Sequence, residues 1–181
     1  MRVISGSARG TKLRTISGTD LVRPTTDKVK GAMFNMIQFS VPQANVLDLF
    51  CGSGALGIEA LSRGAAHATF VDGSFRSLRV TEENLTKTRL HQKATLIRAN
   101  WEAFFRDCKE RYSIVFADPP YAMSVLSDLL IMCQSVVIPG GYLVYECPRE
   151  TVAAESKAFL LHRQSFYGSA SVIIYQRRET A

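Results

Sequence analysis

The sequence lacks the features of a secreted, membrane-spanning or disulfide-stabilised protein. It opens without the long apolar stretch of a signal peptide, and no later apolar run approaches the roughly 20 residues that cross a bilayer. We therefore expect a cytoplasmic protein. The four cysteines are scattered, with no C-x-x-C pair and no nearby histidine partner, so neither a disulfide framework nor a zinc site is predicted, and we assign no metal.

Positive charge is concentrated at the front of the chain. The 181 residues carry a net charge of +6, and residues 1–31 hold seven basic residues against two acidic ones, a local net charge of +5. The basic residues are Arg2, Arg9, Lys12, Arg14, Arg23, Lys28 and Lys30. Such a distribution is typical of an edge that meets phosphates, although a solvated surface that contacts nothing is the alternative.

The hydrophobic pattern changes near residue 42, which suits one domain with a small appendage. Residues 2–5 and 12–16 predict a basic hairpin, and apolar positions at helical spacing from Thr25 onward predict a helix behind Pro24. We therefore divide the chain into an N-terminal extension, residues 1–42, and a main domain, residues 43–181.

The main domain alternates apolar runs with helical segments, which is the signature of an α/β fold with a mostly parallel sheet covered on both faces. The predicted strands are 45–50, 68–72, 94–99, 113–118 and 141–146, and the predicted helices lie near 55–63, 74–89, 101–109 and 123–134. Two further strands, near 158–166 and 171–177, predict an antiparallel hairpin at the sheet edge.

A glycine loop follows the first strand of this domain. Gly52, Gly54 and Gly57 form a G-x-G-x-x-G pattern between that strand and a helix, where glycine permits a tight turn and a close approach of ligand to backbone. Asp72 ends the next predicted strand, 20 residues after Gly52, where a carboxylate can accept the hydroxyl protons of a ribose. The pattern predicts a nucleoside-containing cofactor.

Asp48 decides between the two cofactors that this loop could hold. A nicotinamide dinucleotide would bring a pyrophosphate, which an acid just ahead of the glycines would repel. S-adenosylmethionine brings an ammonium and a sulfonium, which the same acid would favour, and Asp48 could also cap the amides of the loop.

Three more residues are assigned to the cofactor site. Asn100 ends the third strand, where it either contacts adenine or caps the following helix, and the sequence leaves both interpretations open. Two neighbouring aromatic residues, Phe50 and Trp101, complete the assignment.

The stretch IVFADPPYAM ends the fourth strand with Asp118, Pro119, Pro120 and Tyr121. An ordinary turn explains why the chain changes direction at these residues, since Asp and Pro are common in turns, but it does not explain why a tyrosine follows them. An aromatic amine is a poor nucleophile that needs orientation, because its lone pair is delocalised into the ring. Asp118 and a carbonyl of the Pro-Pro pair can accept the two amino protons while Tyr121 stacks on the base. We therefore assign catalysis to these four residues.

With these motifs in this order, the chain resembles the class I S-adenosylmethionine-dependent amino-methyltransferases, and most closely the RsmD family, which methylates guanine N2 in bacterial 16S ribosomal RNA. The matching segments are RVISGSARGTKLRT, RPTTDKVKGAMFN, VLDLFCGSGALGIEALSRGA and FADPPY. The resemblance implies a Rossmann-like fold and a 16S ribosomal RNA substrate. We further expect that RNA to be met in a small-subunit particle, because a small chain with no obvious separate target-recognition domain suits a substrate whose shape supplies specificity, and we expect a monomer.

The resemblance also implies roles for individual residues. Asp48, Gly52, Gly54 and Asp72 would hold the cofactor, and Asp118 to Tyr121 the guanine. The RNA-binding set would be Arg2, Arg9, Lys12, Arg14, Arg23, Thr25 and Thr26, of which the last three would help to close the site. The chain departs from the common family pattern by Asp at 72 in place of Glu and Asn at 100 in place of Asp.

Three alternatives stay open at the level of sequence. The same Asp-Pro-Pro-Tyr turn also suits adenine N6 in DNA or RNA. The glycine loop alone fits a nicotinamide-dinucleotide oxidoreductase, and the basic front end fits a non-catalytic RNA-binding module.

Overall fold

A seven-stranded sheet forms the centre of the computed structural model, which describes residues 1–16 and 27–179. The strands are β1 Asn45–Leu49, β2 His67–Asp72, β3 Ala94–Arg98, β4 Tyr112–Ala117, β5 Val137–Pro148, β6 Phe159–Tyr167 and β7 Ala170–Arg177. The helices are α1 Asp27–Met36, α2 Ala55–Ser62, α3 Phe75–Thr88, α4 Trp101–Asp107 and α5 Leu126–Val136, with short 3-10 turns at Gln38–Ser40 and His91–Lys93.

The strand order is β3-β2-β1-β4-β5-β7-β6, and the first five strands of the chain pair in parallel. Strand β7 inserts antiparallel between β5 and β6, and thus the C-terminal hairpin forms the edge that the sequence predicts. The order reverses between β1 and β4, and in open α/β sheets ligands bind at the carboxyl ends of the strands at such a point. The predicted Rossmann-like fold is confirmed.

Apolar residues pack on both faces of the sheet, as the nearly unbroken apolar strands require. Helices α1, α2 and α3 cover one face, where Phe34, Ile58 and Phe116 are fully buried. Helices α4 and α5 cover the other face around Trp101 and Leu129. Among the described residues, no helix combines the length and apolar character needed to cross a membrane.

The N-terminal segment, which we define as residues 1–16, is less regular than predicted. A single antiparallel bridge joins Arg2 to Lys12, so the two predicted strands 2–5 and 12–16 are wrong as strands, although the chain does fold back on itself. Gly6 lies against the Ser62 carbonyl, where a Cβ would fall 1.7 Å from that oxygen, and the Ser7 N–H donates to the same oxygen at 2.8 Å. The segment takes its shape both from docking on α2 and from its own backbone hydrogen bonds, in which the Val3 N–H donates to the Thr11 carbonyl at 3.0 Å and the Leu13 N–H to the Met1 carbonyl at 3.1 Å.

Candidate active site

Three carboxylates lie at the carboxyl edge of the sheet, on both sides of the point where the strand order reverses. Asp48 is in β1, Asp72 is the last residue of β2, and Asp118 directly follows β4. Strand β1 pairs with both β2 and β4, so the three residues belong to adjacent strand ends. The structure therefore brings together the acids that the sequence assigned to cofactor and base.

Asp48 is buried, with 2% of its surface exposed. Its Oδ2 accepts a hydrogen bond from the Gly57 N–H at 2.8 Å, which is the loop-capping role expected from the sequence. Burial, together with the charges of Asp118 and Asp72, raises the pKa of Asp48 to about 8, and the Gly57 hydrogen bond opposes that rise. A cation placed beside Asp48 would reverse the effect of these neighbours and favour the charged carboxylate.

Asp72 links the glycine loop after β1 to the turn that follows β2. Its Oδ2 accepts from the Gly52 N–H at 3.0 Å and its Oδ1 from the Ser74 N–H at 2.8 Å. A carboxylate offers about four lone-pair positions, so these two bonds leave capacity for hydroxyl donors. The side chain is half-buried and reachable from the carboxyl edge.

The three loop glycines are required for two different reasons. Gly52 and Gly54 have φ angles of 54° and 74°, in the left-handed region that favours glycine. At Gly57 the reason is packing, because a Cβ there would lie 2.3 Å from a ring carbon of Phe70. Phe50 also has a positive φ, 61°, which is uncommon for a residue with a side chain.

Two polar residues of α3 hydrogen-bond to carbonyls of the glycine loop, and neither was predicted from the sequence. The Thr81 hydroxyl donates to the Gly52 carbonyl at 3.1 Å, and the Asn84 amide donates to the Ser53 carbonyl at 2.9 Å. Both side chains are buried. A signal was present in the sequence, since polar residues at 81 and 84 share the buried face of α3 with Leu78 and Leu85.

The segment after β3 places Asn100 and Trp101 at the start of α4. Asn100 Oδ1 accepts from the Ala103 N–H at 2.8 Å, so the N-cap interpretation is confirmed, and its contact with adenine stays a prediction. Trp101 is buried, and its ring lies 6.3 Å from the ring of Phe50. The two aromatic residues assigned to the cofactor site therefore pack against each other beside the glycine loop.

The Asp-Pro-Pro-Tyr turn begins as soon as β4 ends at Ala117. Pro119 is buried and Pro120 is exposed, and the Pro120 carbonyl accepts from the Met123 N–H at 2.8 Å. Tyr121 follows with 38% of its surface exposed.

The predicted RNA-binding residues within the N-terminal segment are all exposed. Arg2 pairs with Asp27 at 3.5 Å, and the Arg14 guanidinium pairs with the Glu83 carboxylate. No ion pair within residues 1–16 and 27–179 includes Arg9 or Lys12. Arg23, Thr25 and Thr26 lie outside the described residues.

In the described part of the chain, no cluster of three or more His, Cys, Asp or Glu side chains is arranged to hold a metal ion. The cysteines there are free thiols. Cys108 is half-exposed, and Cys51, Cys133 and Cys147 are buried.

Known proteins with similar sequences cover nearly the whole chain. "Putative rRNA methyltransferase YlbH" of Bacillus subtilis is 40% identical, and the match covers 98% of this chain and all of that protein. "Ribosomal RNA small subunit methyltransferase D" of Escherichia coli is 32% identical over 98% of this chain and 90% of that protein. Among solved structures, "Putative methyltransferase yhhF" from Escherichia coli has a TM-score of 0.87 at 31% identity and covers 98% of both chains.

The family model described as "Conserved hypothetical protein 95" matches residues 1–176. The chain therefore belongs to this family, the RsmD family that its motifs predicted.

Proposed function

We propose that the chain transfers a methyl group from S-adenosylmethionine to the exocyclic N2 amine of a guanine in 16S ribosomal RNA of the small subunit. The observation that carries the proposal is the common position of Asp48 and Asp118 at one edge of the sheet, close enough for the charge of one to shift the pKa of the other. The names of relatives at 32% and 40% identity support ribosomal RNA as the substrate.

The residues at this edge fit a cationic nucleoside cofactor. S-adenosylmethionine, when bound, supplies an electrophilic methyl group on a positively charged sulfur. Asp48 is a buried acid among other acids, and a cationic ligand would offset the electrostatic cost of ionising it. Asp72 retains lone pairs for ribose hydroxyls, and the glycine loop permits a close approach to its backbone.

The Asp-Pro-Pro-Tyr turn fits an aromatic amine. Asp118 and a carbonyl of the Pro-Pro pair would accept the two N2 protons, which turns the nitrogen lone pair toward the methyl group. A carboxylate with an ordinary pKa of about 3.9 cannot deprotonate a neutral aryl amine in advance, so the proton leaves with or after methyl transfer. Asp118 therefore acts mainly by orienting the base.

The target guanine must be unpaired or extruded to reach this turn. Extrusion costs roughly a few kcal/mol of lost stacking, and stacking on Tyr121 returns on the order of 1 to 3 kcal/mol. The exposed basic residues of the N-terminal segment, Arg9 and Lys12 above all, would hold the RNA backbone while the base is out. We further propose that the substrate is a small-subunit particle, whose shape adds specificity, and that the chain acts as a monomer.

One assay tests the reaction and its target together. Tritiated S-adenosylmethionine is incubated with unmodified 16S RNA and, separately, with small-subunit particles, and the RNA is then digested to nucleosides. We expect label in N2-methylguanosine. Label in N6-methyladenosine would contradict the guanine assignment, and RNA binding with no transfer would contradict the enzyme. Tight nicotinamide binding without S-adenosylmethionine binding would favour an oxidoreductase.

A further inference from the structure

Helix α3 lies between the N-terminal segment and the glycine loop, which we define as residues 50–57, and contacts both. On one side, Lys87 donates to the Lys12 carbonyl at 2.6 Å, and the Glu83 carboxylate pairs with the Arg14 guanidinium. On the other side, Thr81 donates to the loop carbonyl of Gly52. The helix thus joins the predicted RNA-binding residues to the predicted cofactor loop.

Asn84 makes both sets of contacts with one side chain. Its Oδ1 accepts from the Arg14 N–H at 2.8 Å, and its Nδ2 donates at 2.9 Å to the Arg14 carbonyl and at 2.9 Å to the Ser53 carbonyl. One side chain thus hydrogen-bonds to both the N-terminal segment and the glycine loop.

These contacts fix the two binding elements in one geometry. Peptide groups are planar, so a bond to the Ser53 carbonyl also sets the direction of the Gly54 N–H. The pair of bonds to Arg14 likewise sets the peptide groups on both sides of that residue. Asn84 is 1% exposed, and water therefore cannot replace a bond that is lost there.

We propose that Asn84 is a positioning residue that couples the two sites, so that cofactor binding at the glycine loop raises the affinity of the N-terminal segment for RNA, and RNA binding raises cofactor affinity. The inference rests on the proposed function, because it takes residues 9–14 as part of the RNA site. Linkage requires the two effects to be equal in size, and couplings of this kind are typically about 5- to 150-fold.

The direct test measures the dissociation constant of S-adenosylhomocysteine, a product that cannot react, with and without saturating unmodified small-subunit particles. For the wild-type chain we expect particles to tighten binding by about fivefold or more. For Asn84→Ala we expect the ratio of the two constants to fall to about 1. A wild-type ratio of 1, or an Asn84→Ala ratio equal to a larger wild-type ratio, would overturn the proposal.

Two control variants separate coupling from general damage to α3. Thr88 is buried on the same helix, but its hydroxyl bonds only to the carbonyls of Asn84 and Leu85 in its own helix, so Thr88→Ala is expected to lower stability and keep the ratio. Thr81→Val removes a loop contact without touching the N-terminal segment, so it is expected to weaken S-adenosylhomocysteine binding by a similar factor with and without particles. Loss of coupling in Thr88→Ala would indicate a structural effect and overturn the role of Asn84.

A measurement on the wild-type chain keeps the proposal testable if Asn84→Ala does not fold. Hydrogen exchange of the Arg14 amide, whose N–H is bonded to Asn84, is expected to slow when S-adenosylhomocysteine binds without RNA. An unchanged exchange rate would overturn the proposal. Methylation of RNA by the wild-type chain tests the proposed function separately, because two uncoupled sites could still carry out the reaction.

Discussion

At the scale of single residues, Asp118 and Asp48 share an environment but have different tasks. Asp118 begins the turn after β4 that is assigned to bind the guanine base, whereas Asp48 accepts a hydrogen bond from the Gly57 N–H in the first turn of α2. Substitution can separate the two tasks, because loss of the Asp118 carboxylate should lower turnover and loss of the Asp48 carboxylate should lower cofactor affinity.

The first prediction concerns orientation of the base by Asp118. Asp118→Asn keeps the size of the side chain and one acceptor oxygen but removes the negative charge, so a weaker neutral hydrogen bond would orient the amine, and we expect turnover to fall by about tenfold or more. Cofactor affinity should stay within about threefold of the wild-type value, since the residue faces the base. Single-turnover methyl transfer and calorimetric titration measure the two quantities. Exposed Asp128→Asn is the matched control, and equal losses of affinity and rate in Asp118→Asn would refute the division of tasks.

The second prediction follows from the raised pKa of Asp48. Its value of about 8 in the unliganded chain means that Asp48 holds a proton at neutral pH, and a cationic cofactor would expel that proton by favouring the carboxylate. Affinity should therefore rise with pH below about 8, by up to about tenfold per unit, and stop rising near 8, where the α-ammonium of the cofactor loses its own proton.

Calorimetry in two buffers of different ionisation enthalpy counts the protons released. At pH 6.5, below the ordinary α-ammonium pKa of about 7.7–8.0, we expect release approaching one proton per cofactor. Asp48→Asn should bind more weakly and release none. A wild-type release near zero would show that Asp48 is already charged or is not opposite the cation.

At the scale of elements, the sequence predicted the sheet well because a parallel strand buried on both faces is an apolar run bounded by turn residues. Strand β1 was predicted at 45–50 and is found at Asn45–Leu49. Strand β5 begins at Val137 rather than near 141, since Pro139 and Gly140 read as a turn in the sequence. Only one bridge forms between the predicted N-terminal strands because side chains of α2 and α3 bind the backbone groups of Ile4, Ser5 and Arg14, and a local pattern does not contain these contacts.

The same reason separates the site residues that could be predicted from those that could not. Asp48 and Asp72 have fixed spacings from the glycines, and thus local sequence reveals them. Asn84 acts through residues 31 and 70 positions away, Ser53 and Arg14. Its polarity on an apolar helix face was visible, but its partners were not.

The third prediction tests the N-terminal segment as the RNA-binding element. Charge reversal by Arg9→Glu with Lys12→Glu should weaken RNA binding by about tenfold or more and make the slope of log affinity against log salt shallower by about 1.4 to 1.8. Filter binding at several salt concentrations measures both. Lys93→Glu with Lys109→Glu, two exposed lysines at the amino ends of β3 and β4, is the matched control. An unchanged slope in Arg9→Glu with Lys12→Glu would show that these two residues of the N-terminal segment do not contact RNA phosphates.

At the scale of the whole molecule, a buried cluster of charges joins the N-terminal extension to the main domain. Glu59 of α2 is fully buried and accepts from the Ile4 and Ser5 N–H groups at 2.8 Å and 3.0 Å. It also pairs with Lys30 at 3.2 Å and Arg63 at 2.8 Å. Burial lowers the pKa of Lys30, and the charge of Glu59 opposes that shift.

These contacts, together with a core that includes Val3, Leu13 and Phe34, run across the boundary predicted near residue 42. Whether residues 1–42 form a separate unit stays a prediction, and its consequence for unfolding can be measured. If the extension and the main domain unfold together, a destabilising substitution at Glu59 must also lower the unfolding midpoint reported by residues on the opposite face of the sheet.

The fourth prediction uses the single tryptophan as a reporter on that opposite face. Trp101 is the first residue of α4 and packs in the apolar cluster on the face of the sheet opposite the charge cluster, so its fluorescence follows the main domain. Glu59→Gln leaves Lys30 buried without its closest carboxylate, and breaking such a pair costs about 3 kcal/mol or more. We expect one urea transition with the same midpoint by fluorescence and by circular dichroism. In Glu59→Gln that midpoint should shift to lower urea, whereas in the control Glu82→Gln, at an exposed residue, it should stay unchanged.

The opposite outcome would identify residues 1–42 as an independent unit. In that case the Trp101 fluorescence midpoint would stay unchanged in Glu59→Gln, while part of the circular dichroism signal would be lost at lower urea. We expect a single transition because Glu59 of α2 binds two backbone amides of the extension and Lys30 of α1. If the extension or α1 detached, this buried carboxylate and its remaining partners would lose their hydrogen bonds.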